Sequence, residues 1–271
     1  MSIVSRITNC GWLRGICHFS DKSKYAKENN RIEQEADLRR IGKIDSRYSR
    51  ILGLKDKYLG QRCFIVATGP SLTIDDLELI KGEISFSMNS ICHLYEKTLW
   101  RPTYYGIQDG FVYDKMKDTI HNYYSNLDNV LIADTIQCEG YIKFPFNSFY
   151  NRYDADRRKF WVKFSDNAYA EVYNGFTITY SLIQIAIYMG FKEIYLLGVD
   201  CSYKKGVKNH VVESGHIDKY DYLLNYKRMV ISYECAEKYA KQNAISIINC
   251  TRGGMLEVFP RMKLEEVLNI N

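Results

Sequence analysis

From Gln61 onward, short apolar runs alternate with longer segments whose apolar positions recur every three or four residues. Six runs read as strands: "CFIVA" (63–67), "ISFSM" (84–88), "TYYGIQ" (103–108), "NVLIAD" (129–134), "EIYLLGVD" (193–200) and "AISIIN" (244–249). Between the last two, "YDYLLNYKRMVISYECAEKYAKQNA" sets Tyr222, Leu223, Tyr226, Val230, Tyr233, Ala236 and Tyr239 near helical spacing, which predicts a long amphipathic helix. "TITYSLIQIAIYMG" is apolar nearly all round and ends at Gly190, the pattern of a buried helix with a glycine C-cap feeding the next strand. Strands alternating with helices are the rhythm of crossovers in a mainly parallel sheet, so the fold class is α/β. No internal repeat is present.

Residues 1–60 carry a different pattern. "DKSKYAKENNRIEQEADLRRIGKIDSRYSRILGLKDKYLG" is charged, and its apolar positions recur only loosely at helical spacing, which predicts a helical N-terminal extension ahead of a domain spanning 61–271. Trp12, Leu13, Arg14 and Ile16 give that extension cationic and apolar groups suited to peripheral contact with an anionic membrane surface, although solvated helices of similar charge are commoner.

Composition narrows the class. With 271 residues the chain can bury one large core, and with 46% hydrophobic and 25% charged residues it is an ordinary globular sequence. A net charge of +5 is too thinly spread for nucleic-acid binding, while anionic small molecules remain compatible with it. The eight cysteines lack any C-x-x-C pairing and sit mostly in apolar runs, which points to free thiols in a reducing, cytoplasmic setting. Neither a spanning apolar stretch nor a signal-peptide core is expected. The 23 tyrosines supply amphipathic rings that suit wet clefts and sugar faces as well as cores.

The candidate chemistry gathers where the apolar runs end. In "CFIVATGPSLTIDD" (63–76), Gly69 allows a close turn, Pro70 fixes the bend, and Thr73 with Asp76 makes a capping-box-like helix start. Such a turn is a natural phosphate site in an open α/β sheet, and equally a well-made strand-to-helix turn with nothing bound. Neither the Walker loop nor the G-x-G-x-x-G fingerprint occurs. Asn89 and Ser90 follow the second strand and Gln108 and Asp109 the third, along the same rim as Gly69. The fifth strand closes on Asp200 and opens the polar loop "CSYKKGVKNHVVESGH", whose His210 and His216 are candidate general bases. No third ligand accompanies the histidines at zinc spacing, so no metal site is expected.

Taken in order, "FIVATGPSL", "SMNS", "RPTYYGIQD", "GFTITYSLIQIAIYMGFKEIYLLGVDCSY" and a later "NH" resemble bacterial CMP-sialic-acid-dependent sialyltransferases (glycosyltransferase family 42) and a broader 6-hydroxymethylpterin diphosphokinase-like superfamily. The resemblance covers roughly residues 61–260. It implies a single Rossmann-like domain, a variant of the GT-A fold, that inverts at the anomeric carbon without a metal or other cofactor. On that carry-over, Gly69, Pro70 and Ser71 line the nucleotide phosphate or ribose and Asn89 contacts the cytidine nucleotide. Tyr203 holds the leaving phosphate, and His210, with His216 in reserve, deprotonates the acceptor hydroxyl. Three positions depart from the pattern: Thr68 stands where the family has Asn, Asp109 also replaces an Asn, and Ile178, flanked by Thr177 and Thr179, replaces a donor-contacting Ser. A sugar other than sialic acid is compatible with those departures.

The resulting expectation is a cytoplasmic glycosyltransferase using a nucleotide-activated sugar, CMP-linked and acidic by the resemblance, with a glycan or lipid-linked acceptor of a capsule, lipopolysaccharide or similar polysaccharide. Two alternatives stand beside it: ATP- and Mg²⁺-dependent pyrophosphate transfer to a pterin, with Asp109 and Asp200 as the acids, and a non-catalytic nucleotide-binding component. The aromatic-rich stretch 141–173 is expected either to form an acceptor-side lid or subdomain, or to serve a homo-oligomer interface.

Overall fold

The computed structural model describes residues 11–124, 127–151, 161–202 and 222–270. The chain opens with helix α1 (Gly11–Arg40), a 3₁₀ turn (Ser46–Tyr48) and the short α2 (Ser49–Leu52). Then come β1 (Arg62–Val66), α3 (Ile74–Leu79), β2 (Ser85–Met88), a 3₁₀ segment (Asn89–Leu94), β3 (Tyr104–Ile107), α4 (Gly110–Tyr123) and β4 (Val130–Ala133). The second half holds β5 (Ile142–Phe144), β6 (Phe146–Asn147), β7 (Val172–Tyr173), α5 (Ile178–Tyr188), β8 (Glu193–Leu197), α6 (Tyr222–Gln242), β9 (Ser246–Asn249) and α7 (Leu264–Val267).

Among the described residues, seven strands form one sheet in the order β5-β4-β3-β2-β1-β8-β9, and every neighbouring pair is parallel. All six runs read as strands lie in it. A parallel sheet is buried on both faces, which explains why its strands are near-continuous apolar runs. In β1 the side chains alternate: Cys63 and Ile65 join the core under α2, α5 and α6, while Phe64 and Val66 join the core under α3 and α4. Strand order reverses at β1, with β2 on one side in register Val66↔Ser87 and β8 on the other in register Val66↔Leu197. That reversal opens a crevice at the carboxyl ends of β1 and β8, the place where open α/β sheets bind ligands.

α5 ends as its sequence foretold. Gly190 takes φ +93°, its N–H donates to Ile187 O, and Phe191 N donates to Ala186 O, so the orphan carbonyls of the last turn are satisfied. A Cβ there would lie 2.9 Å from Leu59 Cα, so the glycine also admits the chain entering β1.

The stretch 141–173 differs from a simple flap. Its residues 142–144 are the edge strand of the main sheet, and 146–147 pair with 172–173 in a second, two-stranded parallel sheet. Buried Gln184 of α5 explains the anchoring. Its Oε1 accepts from Ser165 N and Tyr173 N, both at 3.0 Å, and its Nε2 donates to Tyr173 O at 2.9 Å. Phe164 stacks on Tyr239 of α6 at 4.5 Å between ring centroids. Tyr141 packs instead on Tyr113 and His121 of α4, and Phe149 on Tyr25 of α1, so the described aromatic residues of this stretch are spread over several helices as amphipathic packing groups.

α1 lies against the same stretch. Arg39, with a side chain 3% exposed, donates from Nε to Ala170 O at 2.9 Å, and Asn147 Nδ2 donates to Asn29 Oδ1 at 3.0 Å. Tyr48, Ile51 and Leu54 follow α1 into the main core. Among the described residues no helix is long and apolar enough to cross a membrane.

Candidate functional site

A crevice of about 230 Å³ occupies the switch point. Its walls are strand ends, helix starts and one face of α6. Ala67, Thr68 and Gly69 follow β1; Asn89 follows β2; Gln108 and Asp109 follow β3; Gly198, Val199, Asp200, Cys201 and Ser202 follow β8. Phe176, Thr177, Ile178 and Thr179 bring the N-terminus of α5, and Met229 and Tyr233 bring one face of α6. The positions singled out in the sequence at 68, 69, 89, 108, 109, 177, 178, 179 and 200 thus converge on one space.

Caps set the helix starts. Asp109 Oδ1 accepts from Phe111 N at 2.8 Å and from Val112 N at 3.4 Å, and Thr177 Oγ accepts from Thr179 N at 3.3 Å. Thr73 and Asp76 form the capping box read from the sequence: Asp76 N donates to Thr73 Oγ at 3.2 Å and Thr73 N to Asp76 Oδ2 at 3.0 Å.

The turn after β1 differs from an open cradle of amides. Gly69 N donates to Gly198 O at 2.8 Å, Leu72 N to Gly69 O at 3.2 Å, and Ser71 N to Asp200 Oδ2 at 3.4 Å. Ser71 Oγ donates to the same Asp200 oxygen at 2.7 Å. The turn is filled by a carboxylate of its own chain. Gly69 is required by that packing: a Cβ would stand 2.8 Å from Asp200 Cγ and closer still to its Oδ2 and to Gly198 O. Gly254, at φ +75°, closes the other side, where a Cβ would meet Asp200 O at 2.7 Å. Burial pushes the Asp200 carboxyl above its ordinary value, and the Ser71 hydrogen bonds pull it back.

Backbone strain gathers here. Six non-glycine residues have positive φ among the described residues, and three of them, Asn89 (51°), Phe176 (63°) and Cys201 (49°), line the crevice. Such conformations cost of order 1–3 kcal/mol each and cluster at ligand sites. Tyr105 OH donates to Asn89 O and helps hold that residue in place. Burial pushes the Cys201 thiol up to about 12, so it stays protonated and is a poor nucleophile at neutral pH.

Pro70, Ser71 and Ser90 stand just behind the lining: Ser71 acts through Asp200, and Ser90 is buried at the start of the 3₁₀ segment. Tyr203, His210 and His216 lie outside the described residues. Phe176, Cys201, Met229 and Tyr233 were not singled out. The strain at Phe176 and Cys201 has no sequence signature, and the α6 pair reads as an ordinary apolar face. Among the described residues no group of three or more His, Cys, Asp or Glu side chains is placed to hold a metal.

Residues 37–206 match the family described as MptE-like, 6-hydroxymethylpterin diphosphokinase MptE-like. No curated protein matches the chain. Among solved structures, the chain is similar to the MAf glycosyltransferase from Magnetospirillum magneticum AMB-1, at 17% identity and a TM-score of 0.47 over 80% of this chain. It spans 37% of the length of that protein. It is also similar to the sialyltransferase CstII from Campylobacter jejuni in complex with a substrate analogue, cytidine-5'-monophosphate, at 16% identity and a TM-score of 0.44 over 75% of this chain and 85% of that one.

Proposed function

The chain belongs to the 6-hydroxymethylpterin diphosphokinase MptE-like family, and from that premise we propose that it is a transferase whose donor nucleotide occupies the switch-point crevice. The donor in this reading is a nucleotide-activated sugar, CMP-linked and acidic, and the acceptor a hydroxyl of a surface glycan or lipid-linked saccharide. The observation that carries the reading is the lining itself. Thr68, Asn89, Gln108 and Thr177 bring uncharged hydrogen-bonding residues from four different strand ends and helix starts, the set that suits a base and a ribose.

In the reaction, the acceptor oxygen attacks the anomeric carbon and the bond from that carbon to the phosphate oxygen breaks. The electron pair leaves with CMP, and the acceptor proton passes to His210. Tyr203 steadies the charge that develops on the departing phosphate. These two roles follow the resemblance in the sequence. Replacing His210 with Ala should abolish transfer and leave CMP affinity unchanged. Transfer that survives the substitution excludes His210 as the base.

The family description favours a second reading, pyrophosphate transfer from ATP to a pterin with Mg²⁺. Mg²⁺ commonly rests on one or two carboxylates together with substrate phosphates, and Asp109 and Asp200 both line the crevice. Bound there, it would neutralise phosphate charge. Each carboxylate already accepts hydrogen bonds, Asp109 from the start of α4 and Asp200 from Ser71, which is why the sugar-nucleotide reading stands first.

A thermal-shift titration with CMP, CDP, UDP, GDP and ATP, each with Mg²⁺ and with EDTA, separates the readings, because a ligand that binds only the native state raises its stability. Stabilisation by CMP in EDTA is the expected result. Stabilisation by ATP only with Mg²⁺ would move the assignment to pyrophosphate transfer. Binding without turnover of any CMP-sugar would leave a non-catalytic nucleotide-binding protein.

A further inference from the structure

Two of the side chains lining the crevice are carboxylates, and no lysine or arginine lines it among the described residues. A phosphate placed against Asp109 and Asp200 meets like charge at short range. A hydroxyl meets the reverse, because hydrogen bonds to an ionised acceptor are roughly twice as strong as neutral ones. Of the two acids, Asp200 is built to accept. It is 7% exposed, and its Oδ2 is held by Ser71 Oγ at 2.7 Å. Its backbone oxygen is held by Met255 N at 2.7 Å. Gly69 packs directly on its carboxylate, where a Cβ would stand 2.8 Å from Cγ, and Gly254 packs on its backbone, where a Cβ would meet its carbonyl oxygen at 2.7 Å. Such a carboxylate is already desolvated and oriented before a ligand arrives, so little is lost in ordering it.

Resting on the sugar-nucleotide reading above, we propose that Asp200 receives a vicinal diol of the ligand, and that the crevice beside the filled turn at 69–71 is thereby a diol site and not a phosphate site. The diol comes either from the ribose of the nucleotide or from the transferred sugar. Phosphate then lies away from the β1 turn.

Isothermal titration of the full chain with CMP, 2'-deoxy-CMP and CMP-sialic acid, on the natural sequence and on Asp200→Asn, tests this. If the ribose is the source, the natural chain binds CMP roughly tenfold or more tighter than 2'-deoxy-CMP, and Asp200→Asn brings the ratio close to one. If the sugar is the source, CMP and its deoxy form bind alike, and Asp200→Asn removes the advantage of CMP-sialic acid over CMP. Ratios near one for both comparisons in the natural chain overturn the proposal without any variant. A ribose preference that survives Asp200→Asn overturns it too, since another group then reads the hydroxyl. Should Asp200→Asn fail to fold, Asp200→Glu, which keeps the charge but displaces the carboxylate, replaces it with the same expectations. Binding of ATP in place of CMP defeats the sugar-nucleotide reading alone, and the ATP and 2'-deoxy-ATP pair then decides the role of Asp200. If no nucleotide binds, both fall.

Discussion

Ser71 and Asp200 stand 129 positions apart in the chain, and the hydroxyl of the first donates to Oδ2 of the second at 2.7 Å. This bond opposes burial, which holds the Asp200 carboxyl above its ordinary value. An acid whose folded pKa exceeds its unfolded one contributes stability that is fully present below the unfolded pKa and is lost as pH rises through the folded pKa. Ser71→Ala raises the folded value further. At neutral pH the variant should lose about 1–2 kcal/mol, and urea melts in acid, where the carboxyl is protonated in both chains, should show the gap narrowing. An unchanged gap would mean that the hydroxyl acts through packing and not through the charge.

Gly69→Ala should be far costlier. The added methyl meets a backbone carbonyl, Gly198 O, as well as the fixed carboxylate, so no flexible side chain can yield. A loss of about 3 kcal/mol or more is expected, read as a lower denaturation midpoint with an unchanged slope. Gly110 makes the comparison, since nothing lies within 4 Å of a Cβ placed there and its φ is not positive. Gly110→Ala should leave stability within about 0.5–1 kcal/mol of the natural chain.

The contrast between these two glycines shows what the sequence can and cannot disclose. A strand buried on both faces writes itself as an apolar run, which is why β1 to β4, β8 and β9 were legible. The capping box at Thr73 and Asp76 was legible because its partners are three residues apart. β5, β6 and β7 have only two or three residues, too few to display a period of two. Gly69 was recognised as the residue that allows a close turn, but what it packs on is Asp200, brought there by the parallel pairing of β1 with β8. A residue's partner across a sheet leaves no local mark, so a turn that packs on a carboxylate and one that cradles phosphate have the same sequence.

Asp134 offers a pH test away from the crevice. Its Oδ2 accepts from Tyr48 OH at 2.6 Å and its Oδ1 from Phe146 N at 3.0 Å, yet burial still holds its carboxyl above the ordinary value. Asp134→Asn keeps the acceptor for Phe146 and removes the charge. By the same sign, the natural chain loses the contribution of protonated Asp134 as pH rises through the folded pKa, whereas the variant has nothing to lose. The stability of the variant relative to the natural chain should therefore improve from acid to neutral pH in paired urea melts. A difference independent of pH would show that Asp134 titrates as it does in the unfolded chain.

Arg40 and Glu171 tie α1 to the segment that carries β7. Glu171 is fully buried and accepts from Arg40 Nη2 and from Tyr173 OH, the latter at 2.6 Å, while 37% of the Arg40 side chain reaches solvent. Removing the cation leaves a buried carboxylate whose remaining partners are neutral. Arg40→Met should cost about 2–4 kcal/mol, less than for a fully buried pair because of that exposure. Arg40→Met with Glu171→Gln should recover most of the loss, since the amide oxygen still accepts from Tyr173 and no charge is stranded. If the two changes instead add, the pair is uncoupled, and α1 is held by Arg39 on Ala170 O and by Asn29 on Asn147 without help from this charge.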